Sequence, residues 1–166
     1  MHAAAPKAIN ELLKQKNLTI GRWNEICDVT LTASFNQIIA PPPQSRESIS
    51  FAKLLLDWIA GNSNGWMLIQ ADNSMCLLDD DIHIFNQLVC SENPLQEINN
   101  KNRSFIIEKA DEALLTLIIY FALLFEWHIY LVSEHSQFGQ RLGLLDGIVY
   151  LIGTQDKVTS FKELSK

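Results

Sequence analysis

Residues Asp111 to Trp127, with the sequence DEALLTLIIYFALLFEW, decide the fold of this chain. Of the twelve residues from Leu114 to Phe125, eleven are apolar or aromatic, so a helix here has no polar face to turn towards water. A helix that is apolar on all sides is buried in a protein core or in a membrane. We therefore predict a central helix in which Leu114 to Phe125 are buried.

Two strand-like segments follow this helix. Trp127–Val132 and Leu142–Ile152 are rich in β-branched and aromatic residues and are separated by a polar loop, which is the pattern of a hairpin. The second segment contains Asp146-Gly147, a dipeptide typical of hairpin turns that also fits a bulge inside one long strand. We prefer the bulge, because Phe138-Gly139 already supplies a turn.

A membrane span is the alternative interpretation of this region. Ala113–Val132 is 20 residues long with few strongly polar side chains, which is long enough to cross a bilayer. However, Glu126 and His128 would then lie inside the span at a cost of a few kcal/mol. No cluster of Lys or Arg flanks either end to orient a span. We favour the buried helix of a soluble protein.

The remainder of the chain mixes helical and strand-like patterns. Capping residues and helical spacing predict helices at Pro6–Gln15, at Ile20–Cys27 after a Thr19 cap, from Ser45 or Ser48 to Ala60, after Asp79–Asp81, and at Thr159–Lys166. Asp28–Ala40 is ambiguous between strand and helix, and we favour a helix. Trp66–Gln70 and Met75–Leu78 predict a hairpin around the turn 71–74. Arg103–Lys109 is either a short strand or the lead-in to the central helix.

This order of elements predicts an α+β fold in a single globular domain spanning residues 1–166. We expect an antiparallel sheet built from two hairpins, with helices packed mainly on one face around the buried central helix. A chain of this length can bury a sizeable core without disulfides or metal. Regular βαβ alternation and a glycine-rich phosphate loop are both missing from the sequence, which argues against a parallel nucleotide-binding sheet.

The acidic residues are unevenly distributed along the chain, whose formal net charge is −6. Between Lys53 and Lys101 there is no Lys or Arg. The same interval holds seven acidic residues, namely Asp57, Asp72, Asp79, Asp80, Asp81, Glu92 and Glu97. A surface of this charge repels nucleic acid and attracts basic proteins. We therefore expect a basic protein partner and no nucleic acid.

Metal and cofactor chemistry has little support in the sequence. Asp79–Asp81 with His83 form the densest set of ligand-type residues, but neighbours at a helix start point away from one another rather than towards one ion. We interpret these aspartates as helix caps and surface charges, and we predict no metal and no cofactor. The three cysteines contain no CxxC pair, and the first seven residues lack the apolar core of a signal peptide, which together predict a cytoplasmic protein.

Two classes of function fit these observations. The first is a protein-binding inhibitor, specifically an immunity protein that neutralises a basic, nuclease-type bacterial toxin through its acidic surface. Its partner-binding residues are expected to be Asp72, Asp79, Asp80, Asp81 and Glu134. The second is a small enzyme with a Glu/His acid–base site, for which the first suspects are Glu126, His128, Glu134, His135 and Asp146. A membrane-associated protein is a further alternative.

Overall fold

The computed structural model describes residues 2–3, 6–20, 26–28, 35–39, 47–60, 63–70, 104–136 and 140–164. Its elements in chain order are β1 (His2–Ala3), α1 (Pro6–Gln15), β2 (Leu18–Ile20), β3 (Ile26–Asp28), β4 (Phe35–Ile39), α2 (Glu47–Ala60), β5 (Gly65–Gln70), β6 (Ser104–Glu108), α3 (Glu112–Leu124), β7 (Ile129–Ser133), β8 (Arg141–Leu145), β9 (Ile148–Gly153) and α4 (Gln155–Leu164). A short 3₁₀ turn, Lys109–Asp111, leads into α3. The predicted α+β class is confirmed.

Seven of the strands form one antiparallel sheet in the order β1-β6-β5-β7-β8-β9-β4. The strands β2 and β3 form a separate antiparallel pair. Side chains along a strand point alternately to the two faces of a sheet. In the central strands this alternation divides the apolar residues into two cores, one on each face.

Most of the helical packing lies on one face of the sheet. The larger core joins side chains of α2, α3 and α4 to alternate residues of the central strands, such as Trp66 and Leu131. The smaller core on the opposite face packs Ile9 and Leu13 of α1 against Met67, whose neighbours there include Tyr130 and Val132. Burial on both faces explains why β7 is buried at every position.

The helix α3 buries one face rather than all of its surface. Its buried residues are Leu115, Ile118, Ile119 and Ala122, which follow the spacing of a single helical face. By contrast, Leu117 is 37% exposed and Phe125, just after the helix, is 37% exposed. The helix was predicted correctly, but the predicted burial of all residues from Leu114 to Phe125 is wrong. The helix α3 packs through one face against the main core and α2, and the side chains on its other face stay partly exposed.

The first predicted hairpin, in which Trp66–Gln70 pairs with Met75–Leu78, does not match the strand pairing of β5. Residues 66–69 of β5 pair with β6 on one edge and with β7 on the other. Both edges of this strand are therefore occupied, and Met75–Leu78 cannot pair with it there. The residues of that second predicted strand lie outside the described part of the chain. The ambiguous segment before the central helix is the strand β6.

The second hairpin differs from the prediction at Asp146-Gly147. Leu145 pairs with Ile148, so Asp146 and Gly147 form a two-residue turn between β8 and β9. Their φ angles are 52° and 69°. Positive φ at both central residues is the type I′ geometry that Asp-Gly favours. The preferred bulge is therefore wrong, and the alternative turn is correct.

The largest errors of the sequence-based prediction fall in the first forty residues. Leu18–Ile20 and Ile26–Asp28 are strands rather than the helix predicted after Thr19, and Phe35–Ile39 is a strand rather than part of a helix. The strand β4 pairs along its whole length with β9. Such long-range pairing overrides weak helical spacing. The helices α1 and α2 agree with the prediction, and α4 begins earlier, at Gln155.

Within the described residues, no helix is long and apolar enough to cross a membrane. The 20-residue stretch considered as a span is divided in the structure. Its first part is α3, which ends at Leu124, and its last part belongs to strand β7, which begins at Ile129.

Candidate functional site

One end of the sheet brings together the turn Asp146-Gly147 and the ends of strands β5, β6 and β7. Gln70 pairs with Ile129, and Ile69 pairs with Ser104, so the end of β5 and the starts of β6 and β7 lie side by side. The turn Asp146-Gly147 lies at this same end, because Leu144 beside it pairs with Ile129. We call this end of the sheet, with the chain from Phe125 to His128 that leads into it, the hairpin end.

The segment from α3 into β7 reaches the hairpin end through a tight helix stop. The amide of Trp127 donates to the carbonyl of Ala122 at 2.9 Å, and the amide of Phe125 donates to that of Phe121 at 2.8 Å. Glu126 lies between them with φ of 57°. This is a Schellman-type helix stop, in which the left-handed position is usually occupied by glycine. Here a glutamate occupies it.

Three titratable side chains lie near the turn of the hairpin end. Nε2 of His128 lies 2.8 Å from Oδ1 of Asp146. The side chain of Asp146 is 69% exposed, whereas His128 is buried. A Cβ added to Gly147 would lie 3.3 Å from Cγ of Glu126, so Glu126 packs against the turn. The hairpin end therefore carries two exposed carboxylates, one of them held by a buried histidine.

The most acidic part of the sequence is attached at the hairpin end. Asp72, Asp79, Asp80 and Asp81 lie outside the described residues. The segment that contains them, 71–103, holds six acidic and two basic residues. It follows Gln70 and precedes Ser104 in the chain, and both of these residues lie at the hairpin end.

Glu134 lies at the opposite end of the sheet from these attachment points. Its amide donates to the carbonyl of Gly65 at 2.9 Å, so it adjoins the start of β5, whereas segment 71–103 follows the end of β5. The length of this strand separates the two ends by about 17 Å. The structure therefore does not bring Glu134 together with Gln70 and Ser104.

A lysine offsets the charge of Glu134 at that opposite end. Nζ of Lys16 donates to the backbone carbonyl of Glu134 and lies 3.5 Å from that of Ser136. Burial lowers the pKa of Lys16, and the negative charge of Glu134 partly opposes this shift. Glu134 is exposed, and the nearby charge of Lys16 partly offsets its own.

The suspected enzyme residues do not form one site. Glu126, His128 and Asp146 lie at the hairpin end, whereas Glu134 and His135 follow β7 at the other end of the sheet. In the part of the chain that the structure describes, no group of three or more His, Cys, Asp or Glu side chains could hold a metal ion. The Asp79–Asp81 and His83 cluster falls outside that part.

Two other described acids, Asp57 and Glu112, are paired with lysines. Lys53 contacts the carboxylate of Asp57 and lies 3.2 Å from that of Glu112, which also contacts Lys109. The hydrogen bond from Lys109 is the main reason that the pKa of Glu112 lies below its usual value. The hydrogen bond to Asp57 is the main reason that the pKa of Lys53 is raised. These acids are largely neutralised within the protein.

Comparison with models of protein families, with curated proteins and with solved structures gave no match to this chain. The geometry of the hairpin end and the charge pattern of the sequence are therefore the observations from which function can be argued. Sequence reasoning considered Glu126 and Asp146 for catalysis alone and overlooked them for binding. The Asp146-Gly147 dipeptide was the available signal, since an Asp-Gly turn exposes its aspartate.

Proposed function

We propose that this protein binds and inactivates a basic protein partner of the nuclease-toxin type, as an immunity protein does, by means of the hairpin end and the attached segment 71–103. The observation that supports this proposal is that the acidic segment is joined to the end of the sheet that carries exposed carboxylates. Gln70 and Ser104, where the acidic segment joins the sheet, lie at the same end as the exposed carboxylates of Glu126 and Asp146.

The electrostatic reason for this choice of partner is simple. A nuclease binds a polyanion, so the surface around its active site is cationic. An acidic inhibitor is attracted to that surface at long range and covers it once bound. We propose Asp72, Asp79, Asp80 and Asp81 as the principal contact residues, in the reducing environment of the cytoplasm. The loop from Glu134 to Gln140 is our second choice for the interface.

The proposal is tested with the product of the neighbouring reading frame as the candidate partner. Both proteins are purified, and the association rate is measured at low salt by stopped-flow fluorescence. Replacing Asp79, Asp80 and Asp81 together by Asn retains side-chain shape and capping ability but removes three charges. We expect the association rate to fall roughly tenfold or more, because electrostatic steering is lost.

A matched control is available on the opposite end of the sheet. Asp156 is an exposed acid in the first turn of α4, which follows the end of β9 farthest from the hairpin end. Asp156→Asn should leave the association rate unchanged. An unchanged rate for the triple variant would move the interface to the loop 134–140. Turnover of a small molecule that is lost in His128→Gln, without any protein complex, would replace the proposal by the enzyme alternative.

A further inference from the structure

We infer that Phe125 is the anchor of this interface and that it receives an arginine side chain of the basic partner. The guanidinium stacks on the exposed ring of Phe125 and pairs with the carboxylates of Glu126 and Asp146. This inference rests on the proposed function and adds to it a specific contact residue and the chemistry of the group that it recognises.

The ring of Phe125 is exposed but firmly supported. It stacks with Phe121 at a centroid distance of 5.8 Å and with Trp127 at 5.9 Å, and those two rings are 6.4 Å apart. The three centroids form a nearly equilateral triangle, so two neighbouring rings hold Phe125 in place while 37% of the residue stays exposed. Trp127 is itself buried. A well-supported, partly exposed aromatic side chain is suited to be the anchor of a binding interface.

The backbone at Glu126 indicates that its carboxylate has a role beyond stability. Its φ of 57° is the left-handed conformation, which crowds any side chain and is the position where glycine ends most helices of this type. Strained positions of this kind cluster at functional sites. The strain at Glu126 sets a carboxylate against the turn Asp146-Gly147, directly beside the exposed ring in sequence.

The carboxylates at the hairpin end are available to a partner. Within the described residues, the carboxylate of Glu126 and Oδ2 of Asp146 make no hydrogen bond or salt bridge, whereas Asp57 and Glu112 are paired with lysines. The sequence also contains no Lys or Arg between Lys109 and Arg141. An exposed ring next in sequence to the unpaired carboxylate of Glu126, with one oxygen of Asp146 also unpaired at the same turn, is complementary to a planar cation that can stack and donate several hydrogen bonds.

Arginine fits this description better than lysine. Its guanidinium is planar, stacks on aromatic rings and donates in a fork that matches a carboxylate, whereas the lysine ammonium is a compact, strongly hydrated charge. A second copy of this chain is a poorer occupant, because its approach would bring Glu126 and Asp146 against their own like charges.

The inference is tested with two peptide probes, tetra-arginine amide and tetra-lysine amide, which carry the same charge. Titration is followed by the amide shifts of the full-length protein in nuclear magnetic resonance spectra. We expect both peptides to shift residues 125–128 and 146–148, with arginine binding about two- to fivefold more tightly than lysine. Glu126→Gln should weaken both peptides, because it removes charge and leaves the ring in place.

Phe125→Leu is the decisive variant. It retains an apolar side chain but removes the aromatic face, so the preference for arginine over lysine should disappear while weak binding of both persists. Leu117→Ala is the matched control, since Leu117 has the same exposure on α3 but lies away from the hairpin end. It should leave both affinities unchanged, and thermal unfolding confirms that each variant is folded.

Several results would overturn the inference. They are equal binding of the two peptides, a preference that survives in Phe125→Leu, shifts confined to other residues, or no shifts at all. Concentration-dependent self-association that Phe125→Leu abolishes would identify a second copy as the occupant instead. If the Asp79, Asp80 and Asp81 triple variant slows association with the protein partner but Phe125→Leu does not, the proposed function stands and the anchor is wrong.

Discussion

At the scale of single residues, Glu126 is the position where stability and binding are expected to conflict. Its left-handed backbone is one that glycine adopts without strain. We predict that Glu126→Gly raises the free energy of unfolding by about 0.5–1 kcal/mol, measured by urea denaturation. Glu11→Gly is the control, because Glu11 is exposed inside α1 and should lose about 1 kcal/mol. A less stable Glu126→Gly variant would show that the packing of Glu126 on the turn outweighs the backbone strain.

The ion pairs of Glu112 make the stability of the folded protein depend on pH. Hydrogen bonds from Lys109 and Lys53 lower the pKa of its carboxyl, so the folded state holds the charged form more tightly than the unfolded state does. The resulting stabilisation is present above the usual pKa of 4.5 and is lost as pH falls through the lower pKa of the folded state. We expect Glu112→Gln to cost a few tenths to about 1 kcal/mol at pH 7, as exposed ion pairs do.

The same denaturation experiment, repeated well below pH 4, checks the sign of this effect. The difference between the parent protein and Glu112→Gln should shrink towards zero there, because the parent carboxyl is then protonated. Glu11→Gln, which removes an exposed acid from a different helix, should have little effect at neutral pH. A difference between parent and Glu112→Gln that grows on acidification would contradict the assignment of the ion pairs.

At the scale of elements, α3 has one buried and one exposed face although its sequence is apolar almost throughout. Ile118 is fully buried in the main core, whereas its neighbour Leu117 is partly exposed beside α2. We predict that Ile118→Asp abolishes folding or costs several kcal/mol, because it buries an unpaired carboxylate. Leu117→Asp should cost about 1 kcal/mol or less. Equal loss of soluble protein in the two variants would show that Leu117 is buried in solution.

At the scale of the whole molecule, the exposed carboxylates of Glu126 and Asp146 share the hairpin end with the ends of segment 71–103. The opposite end carries charges of both signs, since Lys16 and Glu134 both lie there. We predict that raising salt to about 150 mM slows association of the parent protein with the proposed basic partner, because screening shortens the range of attraction. The variant carrying Glu126→Gln and Asp146→Asn should respond less to salt, as stopped-flow measurements would show. Identical salt dependence would exclude these two acids from steering.

The sequence by itself determined the class of the fold and most of its helices. The helices α1, α2 and α3 were predicted at nearly the observed residues, because capping residues and helical spacing act within a few turns of chain. The buried fraction of α3 was overestimated, because the apolar character of a residue such as Leu117 does not specify whether other elements cover it.

Only the tertiary structure decided how the strands pair and which side chains share a surface. Strand β5 pairs with β6 and β7. The nearer of these in sequence, β6, begins at Ser104, which is 34 residues after Gln70 at the end of β5. No local sequence pattern specifies a pairing between segments so far apart. The pairing of β4 with β9 likewise turned a segment with helical spacing into a strand. These long-range hydrogen bonds place Glu126 and Asp146 at the end of the sheet where the acidic segment begins. Sheet pairing is a property of the whole chain, because backbone donors and acceptors are satisfied by residues distant in sequence.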